Sequence, residues 1–236
     1  MALGSHKSRA MAGALAVLCL SSAGTAAQTL DERPWVSTGQ AASFAGAGAL
    51  YGVSVLLDRA EGPPPCAPCD LRWVPGFDRW AVRTPNLVLS RMSDVLLLGV
   101  AGATLVDSGR RADGGGPDMV VTLEGVAWTY AVTQISKAVI GRLRPVMYTD
   151  QAAVAADRIT SQRSMPSGHA SAAFAFAAGY WANTSDAGTA PKLAALIAAA
   201  GVAALRVAAA KHFPSDVLVG ALVGTASALV VHEIRF

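Results

Sequence analysis

Six long apolar segments, at 40–57, 87–106, 119–137, 169–181, 193–210 and 217–231, constrain this chain more than any other feature. Each has room for several helical turns, none sustains the alternation of a half-buried strand, and turns rich in glycine, proline or aspartate separate them. The expected fold is therefore all-α, a six-helix antiparallel bundle within one domain at 40–233. No internal repeat is visible. With 53% hydrophobic against 15% charged residues, the chain is apolar for a soluble protein, so the bundle is expected to be embedded in a membrane. Arg91, Asp94, Glu124 and Gln134 interrupt the segments, and each is costly in lipid unless it faces the interior. A net charge of +3, with no basic run interleaved with aromatics, argues against nucleic acid.

Residues 1–27 read as a signal peptide or N-terminal anchor: Lys7 and Arg9, an apolar run at 11–20, then small residues to Ala27. Cys19 lies within that run as an apolar filler. The segment at 58–91 reads as a structured loop, with three consecutive prolines, Cys66-Ala-Pro-Cys69, Trp73 and Trp80. In an exported protein such a pair of cysteines forms a short-range disulfide. Redox chemistry lacks a surrounding βαβ pattern, and zinc would need two further ligands. Trp73 and Trp80 either anchor the loop at a membrane interface or pack it onto the bundle. Topology carries a conflict: if the leader is cleaved and 40–57 then spans, the cysteine loop and the third-to-fourth connection both face the cytoplasm, the wrong side for a disulfide. An uncleaved leader, a first helix that does not span, or a fully exported domain each removes it.

Three clusters carry candidate chemistry. In the first, Lys137 and Arg144 lie seven residues apart, which on a continuous helix puts them on one face. Gly141 leaves room there for an anion, and Pro145 marks a helix end. The second, Pro166-Ser167-Gly168-His169, reads as a helix start with Ser164 as candidate cap and with N–H groups open to an anion. In the third, Arg206 sits on an alanine-rich helix, His212 follows it, and Asp216 opens the next helix with Ser215 as candidate cap. A carboxylate four residues after a histidine can accept its ring N–H and fix the tautomer. Taken singly, each cluster also has a plain reading: a basic juxtamembrane stop, a capped helix, a carboxylate complementing a helix dipole.

In order and spacing the three clusters resemble the signature of the type 2 phosphatidic acid phosphatase and vanadium haloperoxidase superfamily: Lys-x6-Arg-Pro, Pro-Ser-Gly-His, and Ser-Arg-x5-His-x3-Asp. One position departs, since Leu205 stands where the family has serine. The resemblance implies that Lys137, Arg144, Ser167, Gly168 and Arg206 bind phosphate, that His212 is the nucleophile oriented by Asp216, and that His169 is the acid and then the base. The other histidines, His6 and His232, lie in the leader and near the C-terminus. No metal-ligand cluster is apparent in the sequence, so the phosphatase is expected to be metal-independent, without a cofactor, and inhibited by vanadate; the resemblance implies phosphatidate, phosphatidylglycerol phosphate or a polyprenyl diphosphate as substrate. The expected place is the inner membrane of a bacterial-type envelope, with the site facing the periplasm. A soluble periplasmic acid phosphatase of broad specificity is the alternative, and a vanadate-dependent haloperoxidase is a more distant one.

Overall fold

Proline, glycine and a few capping side chains set where the helices start and stop. The computed structural model describes residues 35–60, 62–111 and 115–236, so the expected leader at 1–27 lies outside the described residues. It holds α1 (Thr38–Ala60), α2 (Leu87–Gly109), α3 (Gly115–Ile140), α4 (Ala152–Ala156), α5 (Gly168–Asn183), α6 (Thr189–Ala208) and α7 (Pro214–Arg235), and no strand among the described residues. Asn86 caps α2 by accepting the Leu89 N–H at 3.0 Å. Pro214 occupies the first turn of α7, where its missing N–H costs nothing.

The all-α reading holds, but the described residues form seven α-helices, not six. The additional one, α4, is five residues of an alanine-rich run between two short 3₁₀ turns, too short to show a helical period in sequence. The six longer helices overlie the six apolar segments.

At the centre is α5, packed against α2, α3, α6 and α7. Small residues permit that crowding. A Cβ placed on Gly224 of α7 would lie 2.0 Å from the Ser171 carbonyl oxygen of α5, and one on Gly220 would lie 2.6 Å from that of Ser167. Such contacts replace the interdigitated leucines of a soluble bundle with close backbone approach. Around α3 and α5 stand α1, α2, α6 and α7, each long and apolar enough to cross a membrane. Their outward faces are aliphatic: Leu98, Ile197 and Leu222 are 72%, 71% and 70% exposed. Glu124, costly in lipid if unpaired, is buried on α3 and takes both arms of Arg235, with Nε at 2.9 Å.

The helices alternate in direction, so the 62–86 loop, residues 141–167 and residues 209–213 share one end of the bundle. That loop is held down firmly. Val74 and Ala81 pack with Ala170, Val207 and Phe213, and Arg83 donates to the Val207 and Ala208 carbonyls at 3.3 Å each. Cys66 and Cys69 are joined by a disulfide with Cα atoms 5.0 Å apart, and the Cys69 N–H donates to the Met147 carbonyl at 2.9 Å. Trp73 and Trp80 point outward, 64% and 60% exposed, which favours the interfacial reading over packing onto the bundle.

Candidate active site

The first cluster is built on the end of α3. Gly141 takes a left-handed conformation, φ 58°, and returns its N–H to the Lys137 carbonyl at 3.0 Å, a helix stop for which glycine is suited. Arg144, before Pro145, is extended at φ −76° and ψ 160°. Lys137 and Arg144 therefore do not share a helical face, contrary to the expectation from their spacing. They meet because the chain turns at Gly141 and Arg144 is then tied to Ser161 by an N–H to carbonyl bond of 2.8 Å.

The second cluster opens α5 after a cis Met165–Pro166 peptide. Ser167 occupies the cap position, yet its hydroxyl is buried and bonds nothing. Its N–H donates to the Asp216 carbonyl at 2.9 Å, which joins the second cluster to the third. A Cβ on Gly168 would sit 3.5 Å from Lys137 Nζ, so the first two clusters face each other across the missing side chain. Ser164 is not the cap; its hydroxyl donates to Asp216 Oδ2 at 2.5 Å.

The third cluster hangs on how α6 ends. Lys211 N–H reaches the Arg206 carbonyl at 3.1 Å and Ala210 N–H the Val207 carbonyl at 2.9 Å, a Schellman motif with Ala210 left-handed at φ 53°. That reversal places His212, 1% exposed, beside Asp216, with Nδ1 3.5 Å from Asp216 Oδ2. The separation is long for a hydrogen bond, and Nδ1 makes no other well-formed one, although the Ser164 backbone lies close enough to the ring to favour its protonated form. Asp216 is fully engaged otherwise: Oδ2 accepts from Ser164 and from the Phe213 N–H at 2.8 Å, and Oδ1 from Arg142 at 2.6 Å. Ser215 does not cap α7 either; Phe213 holds that position, and the Ser215 hydroxyl donates to Asp78 at 2.6 Å.

Two acids and an arginine absent from the sequence reading of the site join it here. Arg142 spans Asp216 and the fully buried Asp78, donating to the latter at 2.8 Å, and its guanidinium lies 4.3 Å from the centre of the Phe213 ring. On the other side Asp94 of α2 meets His169 Nε2 at 2.7 Å and lies 3.6 Å from Arg206. Arg206 also donates to Ser90 and Ser93 at 3.2 and 3.1 Å. Arg142 had a local signal, a second arginine inside the first cluster. Asp94 had a weaker one, an acid within an apolar segment. Asp78 had none.

Arg144 Nε, Arg206 Nε, Ser167 Oγ and His212 Nδ1 are all buried without a partner. Unmet donors of this kind are rare and call for an explanation, and an anion placed among them supplies one. Burial, and then the charges of Arg144, Lys137 and Arg206, hold the His212 imidazole well below its ordinary 6.5, so it is neutral with a lone pair available. Burial and the charge of Arg206 push Arg144 down to about 10. Among the described residues no group of three or more His, Cys, Asp or Glu is placed to hold a metal ion. The eight residues expected at the site, Lys137, Arg144, Ser167, Gly168, His169, Arg206, His212 and Asp216, all lie at this one end, with Cys66 and Cys69 in the loop beside them.

Residues 119–236 match the family model described as the PAP2 superfamily. No curated protein and no solved structure matches the chain. The matched segment contains all three clusters and excludes Asp78, Ser90, Ser93 and Asp94.

Proposed function

Because the chain belongs to the PAP2 superfamily, generally phosphatases, we propose that it hydrolyses phosphate monoesters or diphosphates of membrane lipids through a phosphohistidine. The observation that carries this reading is a neutral, buried His212 among cations and unpaired donors. Lys137, Arg144 and Arg206, with the Ser167 hydroxyl and the Gly168 N–H, hold the phosphoryl oxygens and match the charge that spreads over them in the transition state. His212 carries its proton on Nδ1, toward Asp216, and attacks phosphorus through Nε2. The P–O bond to the leaving group breaks, and His169 gives that oxygen its proton. Neutral His169 then takes a proton from water as the water oxygen attacks phosphorus, and the P–N bond breaks to free His212. Asp94 holds the His169 ring between these two steps.

The aliphatic outer faces of α1, α2, α6 and α7 support a membrane-embedded enzyme over a soluble one. The disulfide supports an active end outside the cytoplasm, the periplasm in a bacterial envelope.

Rapid mixing with an alkyl phosphate and with nitrophenyl phosphate tests the roles. His212→Asn is expected to abolish turnover of both esters. His169→Asn is expected to lose about 10²–10⁴-fold on the alkyl ester, whose leaving group needs a proton, while nitrophenyl phosphate still gives a burst and an acid-labile phosphoprotein. Equal losses on the two esters in His169→Asn, with no burst, contradict the assignment.

A further inference from the structure

A second basic cavity of about 540 Å³ adjoins the phosphate-binding cluster at the same end of the bundle. Arg144 is part of its wall; Arg158 and Lys211 add two cations, Gln151 and Thr160 add hydrogen-bonding groups, and no carboxylate lines it. Leu87 and Val154, 63% and 74% exposed, give it an apolar lip. Neither Arg158 nor Lys211 forms an ion pair among the described residues. The three cations are tied by backbone: Ser161 donates to the Arg158 carbonyl at 2.8 Å, Arg144 donates to that of Ser161 at 2.8 Å, and the left-handed Ala210 turns Lys211 inward from α6. Lys211 is half-buried, and burial followed by the charges of Arg144, Arg206 and Arg158 pulls its ammonium below the ordinary value.

Lys137, Arg144 and Arg206 already match the charge of one phosphate. Two further fixed cations beside them repel their neighbours, a cost that an anion in the cavity removes. Arg144 belongs to both sites, so the two anions it serves are adjacent, as in a diphosphate. We infer that this cavity binds a second phosphate of the substrate, that Arg158 and Lys211 select for it, and that the preferred substrate is a diphosphate ester with an apolar chain. The inference rests on the phosphatase reading above. In the reaction the bond from the terminal phosphorus to the bridging oxygen breaks, water supplies the new oxygen, and the products are phosphate and a monophosphate ester still held by Arg158 and Lys211.

The full-length protein in neutral detergent, assayed with farnesyl diphosphate and farnesyl monophosphate, tests this. The wild type is expected to favour the diphosphate, and the ratio of kcat/KM values is expected to fall about 10- to 100-fold in the Arg158→Gln, Lys211→Gln double variant. Arg158→Lys, which keeps the charge, is expected to retain most of the ratio. An unchanged ratio overturns the inference. So does a loss that is the same for both esters and arises only when phosphatidylglycerol is added to the micelles, since the cavity then serves a lipid headgroup. If the wild type hydrolyses neither ester, the phosphatase reading fails by itself, and calorimetry still decides about the cavity. Tighter binding of methylenediphosphonate than of phosphate, lost in the double variant, upholds the second subsite; equal affinities overturn it.

Discussion

Arg142 lies between two fully buried carboxylates, Asp78 and Asp216, and donates to both. A buried carboxylate without a countercharge is strongly unfavourable, and removing one partner of such a pair typically costs about 3–5 kcal/mol. Arg142→Ala is therefore expected to lower the melting temperature by several degrees and reduce kcat on every ester, because Asp216, proposed to orient His212, loses its countercharge. Arg142→Lys keeps a charge but not the two-armed fork, so it is expected to recover only part of the loss. Guanidinium added to the alanine variant is expected to restore turnover, a gain that a merely structural role would not show; kcat of Arg142→Ala within twofold of wild type contradicts the assignment. The eight clustered residues were legible because each sits in a short local string whose spacing carries the information. The partners of Arg142 stand 64 and 74 positions away, and no local pattern announces them. Ser164 and Ser215 show the same limit. Both are good caps by composition, yet tertiary acceptors took their hydroxyls.

The helices were legible because a long apolar run without strand alternation has few other outcomes. The element-level errors are local in cause: α4 is too short to be periodic, and one left-handed glycine ended α3 before Arg144 could share a face with Lys137. What sequence alone did not reveal is how closely α5 and α7 approach. At Gly224 the space for a side chain is already filled by the Ser171 backbone, so Gly224→Ala forces the helices apart rather than repacking a flexible neighbour. The expected cost is about 1–3 kcal/mol or more, with loss of activity, since the start of α5 carries Ser167 and Gly168. Gly48 of α1 meets nothing within 4 Å, and Gly48→Ala is expected to stabilise by about 0.5–1 kcal/mol without affecting turnover. Comparing the two by thermal melts in detergent checks the contrast; equal effects would mean that α5 and α7 do not pack this tightly.

At the scale of the molecule, the disulfide loop and the two histidines proposed to be catalytic, His169 and His212, lie at one end, whereas α7 runs 22 residues away from them, about 33 Å. The opposite end is where α1 begins and α7 stops, joined by Arg235 donating to the Gly39 carbonyl at 3.4 Å. The topological conflict in the sequence arose from counting crossings after an assumed cleavage, a step that hydrophobicity alone does not decide. Once both features occupy one end, they must report the same compartment. After mild reduction of intact cells, a thiol reagent that cannot cross the membrane is expected to label Cys66 and Cys69, and labelling only after lysis would place the active end inside. The pairing of Gly39 with Arg235 makes that experiment self-checking. With the helices spanning the bilayer as proposed, a fluorescent protein that matures only in the cytoplasm, fused after Phe236, is expected across the bilayer from the thiols, so each molecule would carry a reporter of opposite sidedness at its two poles.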